Sequence, residues 1–290
     1  MTLLEIVEEV SKQIGLPVPT QVIGSTDVST KQLLAFLNHE GRQLRSKYRW
    51  PSLTKEHTFT LATSTASYAL PADFDFHINE THWDRTNAWP LVGPVTPQFW
   101  QFRQSGISTT APRTEFRVKG WGLTQFAVFP TPTSSENGNT FAFEYSSLTW
   151  VRPVTWSASA TFAADEYCSY NENIYQTSAG GVTGATAPTH TSGSASDDSV
   201  TWTYVSAAYE KFLADTDVPI LNSDLLLLGA RWRFLQQKGL PEWQAIQQEY
   251  ELALRREMGR LQGGRRVSIT GNGIPQYITT DSVPDTNFGS

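Results

Sequence analysis

The sequence predicts an α+β protein, and three observations carry that reading. Apolar residues recur at helical spacing only towards the two ends of the chain. Between them the period changes to that of short strands separated by Gly and Pro turns. A third stretch, residues 151–208, shifts towards Ser, Thr, Ala and Gly yet keeps regularly spaced aromatics. The resulting order is two helices, a run of strands and two helices. The four helices are expected to close as one layer over an antiparallel β domain, with a small all-β insertion and an extended C-terminal tail.

Each element has its own signals. Thr2 with Glu5 three residues on makes a capping box, and Leu3, Val7, Val10 and Ile14 form the stripe of a helix over 2–14, ended by Gly15 and Pro17. Ser29 and Gln32 cap a second helix over 29–49, with Leu34, Leu37, Gly41, Leu44 and Tyr48 along one face. From residue 55 to 150 the β domain is read from HTFTLAT (57–63), SYALPADF, HINETHW (77–83) and WPLVGPV. TEFRVKG and LTQFAVFP pair around Gly120-Trp121-Gly122, and TFAFEYSSLTW (140–150) is the last strand. Pro97 opens one or two helical turns over 97–106. Within 151–208 the alternating NIYQT and VTWTYV runs argue for a folded module rather than a linker. Leu221, Leu225, Leu228, Trp232 and Leu235 then mark a helix over 222–238 capped by Asn222 or Ser223. Gly239 stops it, Pro241 suits the first turn of the next, and Trp243, Ile246, Tyr250 and Ala253 continue over 241–262. So short a link makes these two helices antiparallel. The chain is thus divided into a core of 1–150 and 209–262, a module of 151–208 and a tail of 263–290, where Gly271, Gly273, Pro275 and Pro284 forbid a regular element.

Composition narrows the function. A net charge of −6 argues against a chain that grips nucleic acid through its overall field. The single cysteine, Cys168, excludes an internal disulfide framework and a zinc finger. The start, MTLLEIVEEVSKQIG, carries Glu5, Glu8 and Glu9 where a secretion signal would be positive and then apolar, and no apolar run approaches the roughly 18 residues of a membrane span. The five histidines show no metal-ligand spacing, His77 and His82 being placed on opposite sides of one strand. Asp73/Asp75 and Asp215/Asp217 lack the cleft geometry of glycosidase carboxylates, and the second pair precedes a helix, where acids suit the positive end. No catalytic residue, cofactor or metal is expected. Charge is nevertheless segregated. Helix 29–49 and the segment 255–266 each carry five Lys or Arg against one acid, Glu40 or Glu257. A solvated face is the ordinary explanation of such a run; a surface turned to DNA or to an acidic partner is the alternative.

Three phrases, LNHEGRQLRSKYRWPSL, YALPADFDFHINETHWDRTNAWPLVGPVTPQFWQF and FLADTDVPILNSDLLLLGARWRFLQQKGL, together with their order, resemble the head-to-tail adaptor (tail tubular or connector-ring) proteins of short-tailed bacteriophages. The resemblance implies a structural virion protein, assembled in the host cytoplasm without membrane insertion. It would form a homo-oligomeric ring, typically twelve-fold, between the portal protein and the tail nozzle protein, stabilising the filled head and continuing the channel through which genomic DNA passes. Arg255, Arg256, Arg265 and Arg266, with Ile274, Tyr277, Ile278, Val283 and Phe288 as anchors on the tail, are the candidate contacts to the portal or a neighbouring subunit. Residues 151–208 are similar to the small sugar-binding modules of chitinases, which implies Trp156, Tyr175 and Trp202 as glycan-stacking candidates, although a module this small also needs aromatics for its core. The alternative function is a cell-wall glycosidase or glycan-binding protein acting at the host surface.

Overall fold

The computed structural model describes residues 1–106, 110–206 and 208–261. Among them are five helices and several antiparallel sheets, the mixed α+β class expected. Helix α1 (Leu3–Ile14) begins with the expected capping box: the Thr2 side chain accepts from the Glu5 N–H, and Glu5 Oε2 accepts from the Thr2 N–H at 2.8 Å. Its next orphan donors are met from far along the chain, Leu3 N–H donating to the Asp217 carbonyl and Leu4 N–H to that of Asp215. Helix α2 (Val28–Lys47) is capped by Asp27, not Ser29, because the Asp27 carboxylate reaches both the N–H and the hydroxyl of Thr30. Helix α3 (Pro97–Gln104) has Pro97 in its first turn. Helix α4 (Ser223–Gln237) is capped by Asn222, and α5 (Trp243–Leu261) starts two residues beyond Pro241.

One stripe was expected on α4. Instead Leu225, Leu226, Leu227, Gly229, Ala230, Trp232, Phe234 and Leu235 are all buried, because α4 packs against α1, α2 and α5 together. A helix enclosed on most sides is apolar on most sides. Two glycines set how closely it and its neighbours approach. A Cβ on Gly229 would lie 2.4 Å from Glu40 Cγ, and one on Gly41 of α2 would lie 2.2 Å from the ring of Trp150. Trp150, fully buried, crosses α2 there and donates its indole N–H to the Glu210 carbonyl at 2.8 Å.

The β domain is two sheets facing each other. In the first, Thr140–Ser147 pairs with Thr54–Thr60 on one side and with Phe74–His77 and Trp83–Asp84 on the other; Trp89–Pro90 extends the last. In the second, Gln125–Phe129 lies between Ser67–Ala69 and Glu115–Lys119. Phe74, Phe116, Phe126, Phe141 and Phe143 fill the space between them. The stretch 77–83 is not one strand: it turns at residues 79–80, which returns the chain on itself. His77 and His82 therefore meet, ring centroids 5.2 Å apart, instead of facing opposite ways. His82 is slotted among Phe116, Phe126 and Phe143 with the rings nearly parallel.

Residues 153–206 fold as a four-stranded sheet, in the order Tyr167–Tyr170, Asn173–Thr177, Val200–Ser206, Ser194–Asp197, flanked by the pair Thr161–Phe162 and Gly181–Val182. Phe162, Cys168, Tyr175, Val200 and Trp202 form its core. Val151–Arg152 instead pairs with Val218–Pro219, and Val151 lies in the helical core. Where the chain returns, the Tyr209 N–H donates to Thr149 Oγ1 at 3.0 Å, so the module leaves and re-enters at one place. It also rests on the core, through Ile174 in the helical cluster and Lys55 paired with Glu172.

Candidate assembly surfaces

The helical unit is locked by buried polar contacts. Glu40, counted above as the lone acid of a basic face, is fully buried. Its Oε2 accepts from Arg233 Nε at 2.8 Å and Nη2 at 2.7 Å, and its Oε1 accepts from the Tyr250 hydroxyl. Lys47 Nζ donates to the same hydroxyl at 3.1 Å, and Arg233 also reaches Gln43. Burial and the neighbouring Glu40 charge both raise the Tyr250 pKa, so the phenol stays a donor. Arg233 of α4 and Tyr250 of α5 thus satisfy one carboxylate of α2, and removing Arg233 would leave that charge buried without a counter-ion.

The acid pairs likewise bind groups of the protein itself, chiefly backbone for one pair and side chains for the other. Asp217 is not a helix-end acid: its Oδ2 accepts from the Tyr209 hydroxyl and from the N–H groups of Leu213 and Ala214, and burial raises its pKa against those donors. Asp215 accepts from Val22 and Ile23 N–H. Buried Asp73 accepts from Tyr145 and Ser147 hydroxyls at 2.9 and 2.6 Å and pairs with Lys55 at 3.1 Å. Cys168 is buried, and burial pushes its thiol up to about 12, far from a nucleophile's range. No group of three or more His, Cys, Asp or Glu among the described residues could hold a metal, and no described helix is long and apolar enough to cross a membrane.

What remains for a partner lies on the outside. Arg255 and Arg256 are exposed on α5, while Arg260 beside them pairs with Glu257. On α2, Lys31 and Arg42 are exposed, as is Arg49 just past its end; Arg45 is withdrawn into pairs with Asp75 and Glu210. Arg265, Arg266, Ile274, Tyr277, Ile278, Val283 and Phe288 lie outside the described residues. Among the described residues, the exposed Phe and Trp side chains sit elsewhere, all in the β domain: Trp89, Phe99, Phe102 and Trp121. Trp121 is 99% exposed at the tip of its hairpin, held between Gly120 (φ 95°) and Gly122 (φ 70°), whose left-handed conformations need glycine. In the module, Tyr175 and Trp202 are fully buried and have no free face. Trp156 is partly exposed, but its indole N–H and that of Trp202 both donate to Asp197 Oδ2, at 2.9 and 3.1 Å.

The described residues thus combine a helical unit locked by buried polar contacts, exposed Lys and Arg on its helices and exposed aromatics on the β domain. The profile of the SU10 adaptor protein family matches residues 1–275. This chain belongs to that family. It is accordingly a structural adaptor of a bacteriophage, a virion component that interacts with portal and tail parts. No curated protein matches the chain.

The most accessible aromatic among the described residues, Trp121, has a signal in the sequence beyond the turn itself: a Trp between two turn glycines has no sheet face to pack on. The Glu40 network carried no such signal: its partners are 193 and 210 residues away.

Proposed function

We propose that the adaptor assembles into a closed ring between portal and tail nozzle, continues the DNA channel and stabilises the filled head, with the four terminal helices as one layer of each subunit. The family match over 1–275 carries this reading. Its physical support is the separation of two chemically different surfaces, exposed arginines on the helices and exposed aromatics on the β domain. An adaptor must bind different neighbours at once, and repeated heterologous contacts close a ring without further parts. Arg255 and Arg256, with Arg265 and Arg266 beyond them, are assigned to an acidic face of the portal; Ile274, Tyr277, Ile278 and Phe288 are assigned as tail anchors. Tight binding of many arginines to phosphate would hinder DNA in transit, which favours protein as their partner. The module, leaving and returning at one point, is assigned to the outside of the ring.

Deleting residues 265–290 tests the assignment. The truncated chain is expected to stay folded and to fail to join portal-bearing heads, and reversing Arg255 and Arg256 is expected to weaken joining. Wild-type joining by the truncated chain would remove the tail from the interface, and loss of ejection with normal joining would turn the arginines towards DNA. Electron microscopy of the assembled tail would give the ring number, twelve by resemblance. For the glycan-binding alternative Trp156 is the one of the three named aromatics that keeps a partly exposed face, and absence of binding to peptidoglycan fragments would end it.

A further inference from the structure

One hollow in the β domain has chemistry that the fold itself does not use. It has a volume of about 320 Å³, and its lining includes Trp89, Arg113, Asp84 and Glu136. The Arg113 guanidinium lies 4.4 Å from the centre of the Trp89 ring, and its Nη1 is buried without a hydrogen-bond partner. Among the described residues no carboxylate forms an ion pair with it. Both acids of the hollow are committed elsewhere. Asp84 Oδ1 accepts from the N–H groups of Thr86 and Asn87 and its Oδ2 from the Asn87 side chain; Glu136 accepts from the N–H and hydroxyl of Thr133. A buried donor left unsatisfied is costly, and a guanidinium already fixed against an indole loses little entropy on gaining a partner. Trp89 is 50% exposed, so a ligand reaching Arg113 would also cover it. Trp and Arg are both among the residue types enriched where binding energy concentrates.

We propose that this hollow receives a carboxylate side chain from a second copy of the chain. Its size admits a side chain on a narrow turn, not a helix. The module supplies such turns: Asp198, at φ 55°, heads the two-residue turn between the paired Asp197 and Val200, and Asp165, at φ 62°, tips another. Both are exposed and neither is ion-paired among the described residues. The hollow is in the β domain and the acidic tips are in the module, so the contact is head-to-tail, the kind that repeats around an axis. The inference rests on the ring reading above.

The test is self-association of the full chain by sedimentation velocity, with unfolding curves confirming that each variant is native. Arg113→Glu should raise the dissociation constant about 30-fold or more, Asp198→Arg or Asp165→Arg should do the same, and the matching double reversal should restore association. Arg113→Gln serves as the milder variant should the reversal fail to fold. Undiminished association of either native Arg113 variant, or single reversals without rescue, would overturn the proposal. If the wild type stays monomeric even with the portal, the ring reading fails, and the peptide acetyl-Ser-Asp-Ser-amide is titrated against wild type and Arg113→Gln instead. Binding to wild type alone would show a carboxylate receptor serving another protein, overturning the second copy as occupant; no binding would overturn the receptor as well.

Discussion

Acid should loosen the β domain through a single imidazole. His82 is 3% exposed, stacked 4.1 Å from Phe116 and 5.1 Å from Phe143, with its Nε2 buried and unpartnered. Burial foremost, then the adjacent His77, lowers its pKa from 6.5 to about 3. The imidazole is therefore neutral in the fold while the unfolded chain takes up a proton below pH 6.5. The unfolded state then binds more protons, so stability is full above pH 6.5 and falls as pH drops towards 3. Each pH unit across that window costs about 1.4 kcal/mol, or about 2.7 kcal/mol at pH 4.5. Phe in place of His82 keeps a flat ring in the aromatic stack and cannot titrate. Denaturant unfolding of wild type and His82→Phe at pH 7.5 and 4.5 should show wild type losing about 2–3 kcal/mol more than the variant. His57 and His77, whose pKa values burial also lowers, remain in both proteins and largely cancel. Parallel loss in the two proteins would refute the reasoning.

Three further outcomes follow from the packing. Gly41→Ala places a methyl 2.2 Å from the Trp150 ring and should cost about 3 kcal/mol in denaturant unfolding; a near-neutral change would mean that Trp150 is free to move. Glu40→Ala should cost about 3–5 kcal/mol by stranding Arg233, and a double-mutant cycle with Arg233→Met should return a coupling of about 1–3 kcal/mol; strict additivity would contradict the shared network. Replacing 153–207 by a short Gly-Ser link, while keeping Val151, Arg152 and Tyr209, should leave a cooperative fold whose melting temperature is lower by a few degrees, from the helical-core surface Ile174 no longer covers. A non-cooperative melt would make the module part of the core.

The parts legible in sequence were those whose cause is local. The Thr2–Glu5 capping box, the Asn222 cap, Pro97 at a helix start and the hairpin either side of Gly120-Trp121-Gly122 depend on residues within a few positions of one another. Helical periodicity located α4 but not its role, since several inward faces leave a weaker stripe than one. Two short-range causes were misread, and a long-range one left no trace in the sequence. Asp27 displaced Ser29 as a cap only because its side chain folds back on Thr30, and the turn at 79–80 brought two histidines together that alternation had separated. Glu40 looked like a solvated acid because Arg233 and Tyr250 are on the other side of the β domain and the module in sequence. Of the named residues, Arg255 and Arg256 are exposed, Trp156 is partly exposed, and Tyr175 and Trp202 are buried in the core of the module.

The position of α4 also sets a timetable for synthesis. The β domain has its last strand by Ser147 and the module its last by Ser206, so each has its own core sequence complete while the chain is still growing. Helices α1 and α2 emerge first yet have few contacts with each other, their main partner being α4, which begins at Ser223. The apolar faces of α1 and α2, with Leu3, Ile6, Val7 and Leu33 buried in the finished fold, therefore lack their main partner until α4 has been made. The helical unit that bears the exposed arginines therefore closes later than the β domain and the module, and a chain lacking α4 cannot present them in their final arrangement. The interval before α4 is made is when the helices are most exposed to chaperones and to aggregation.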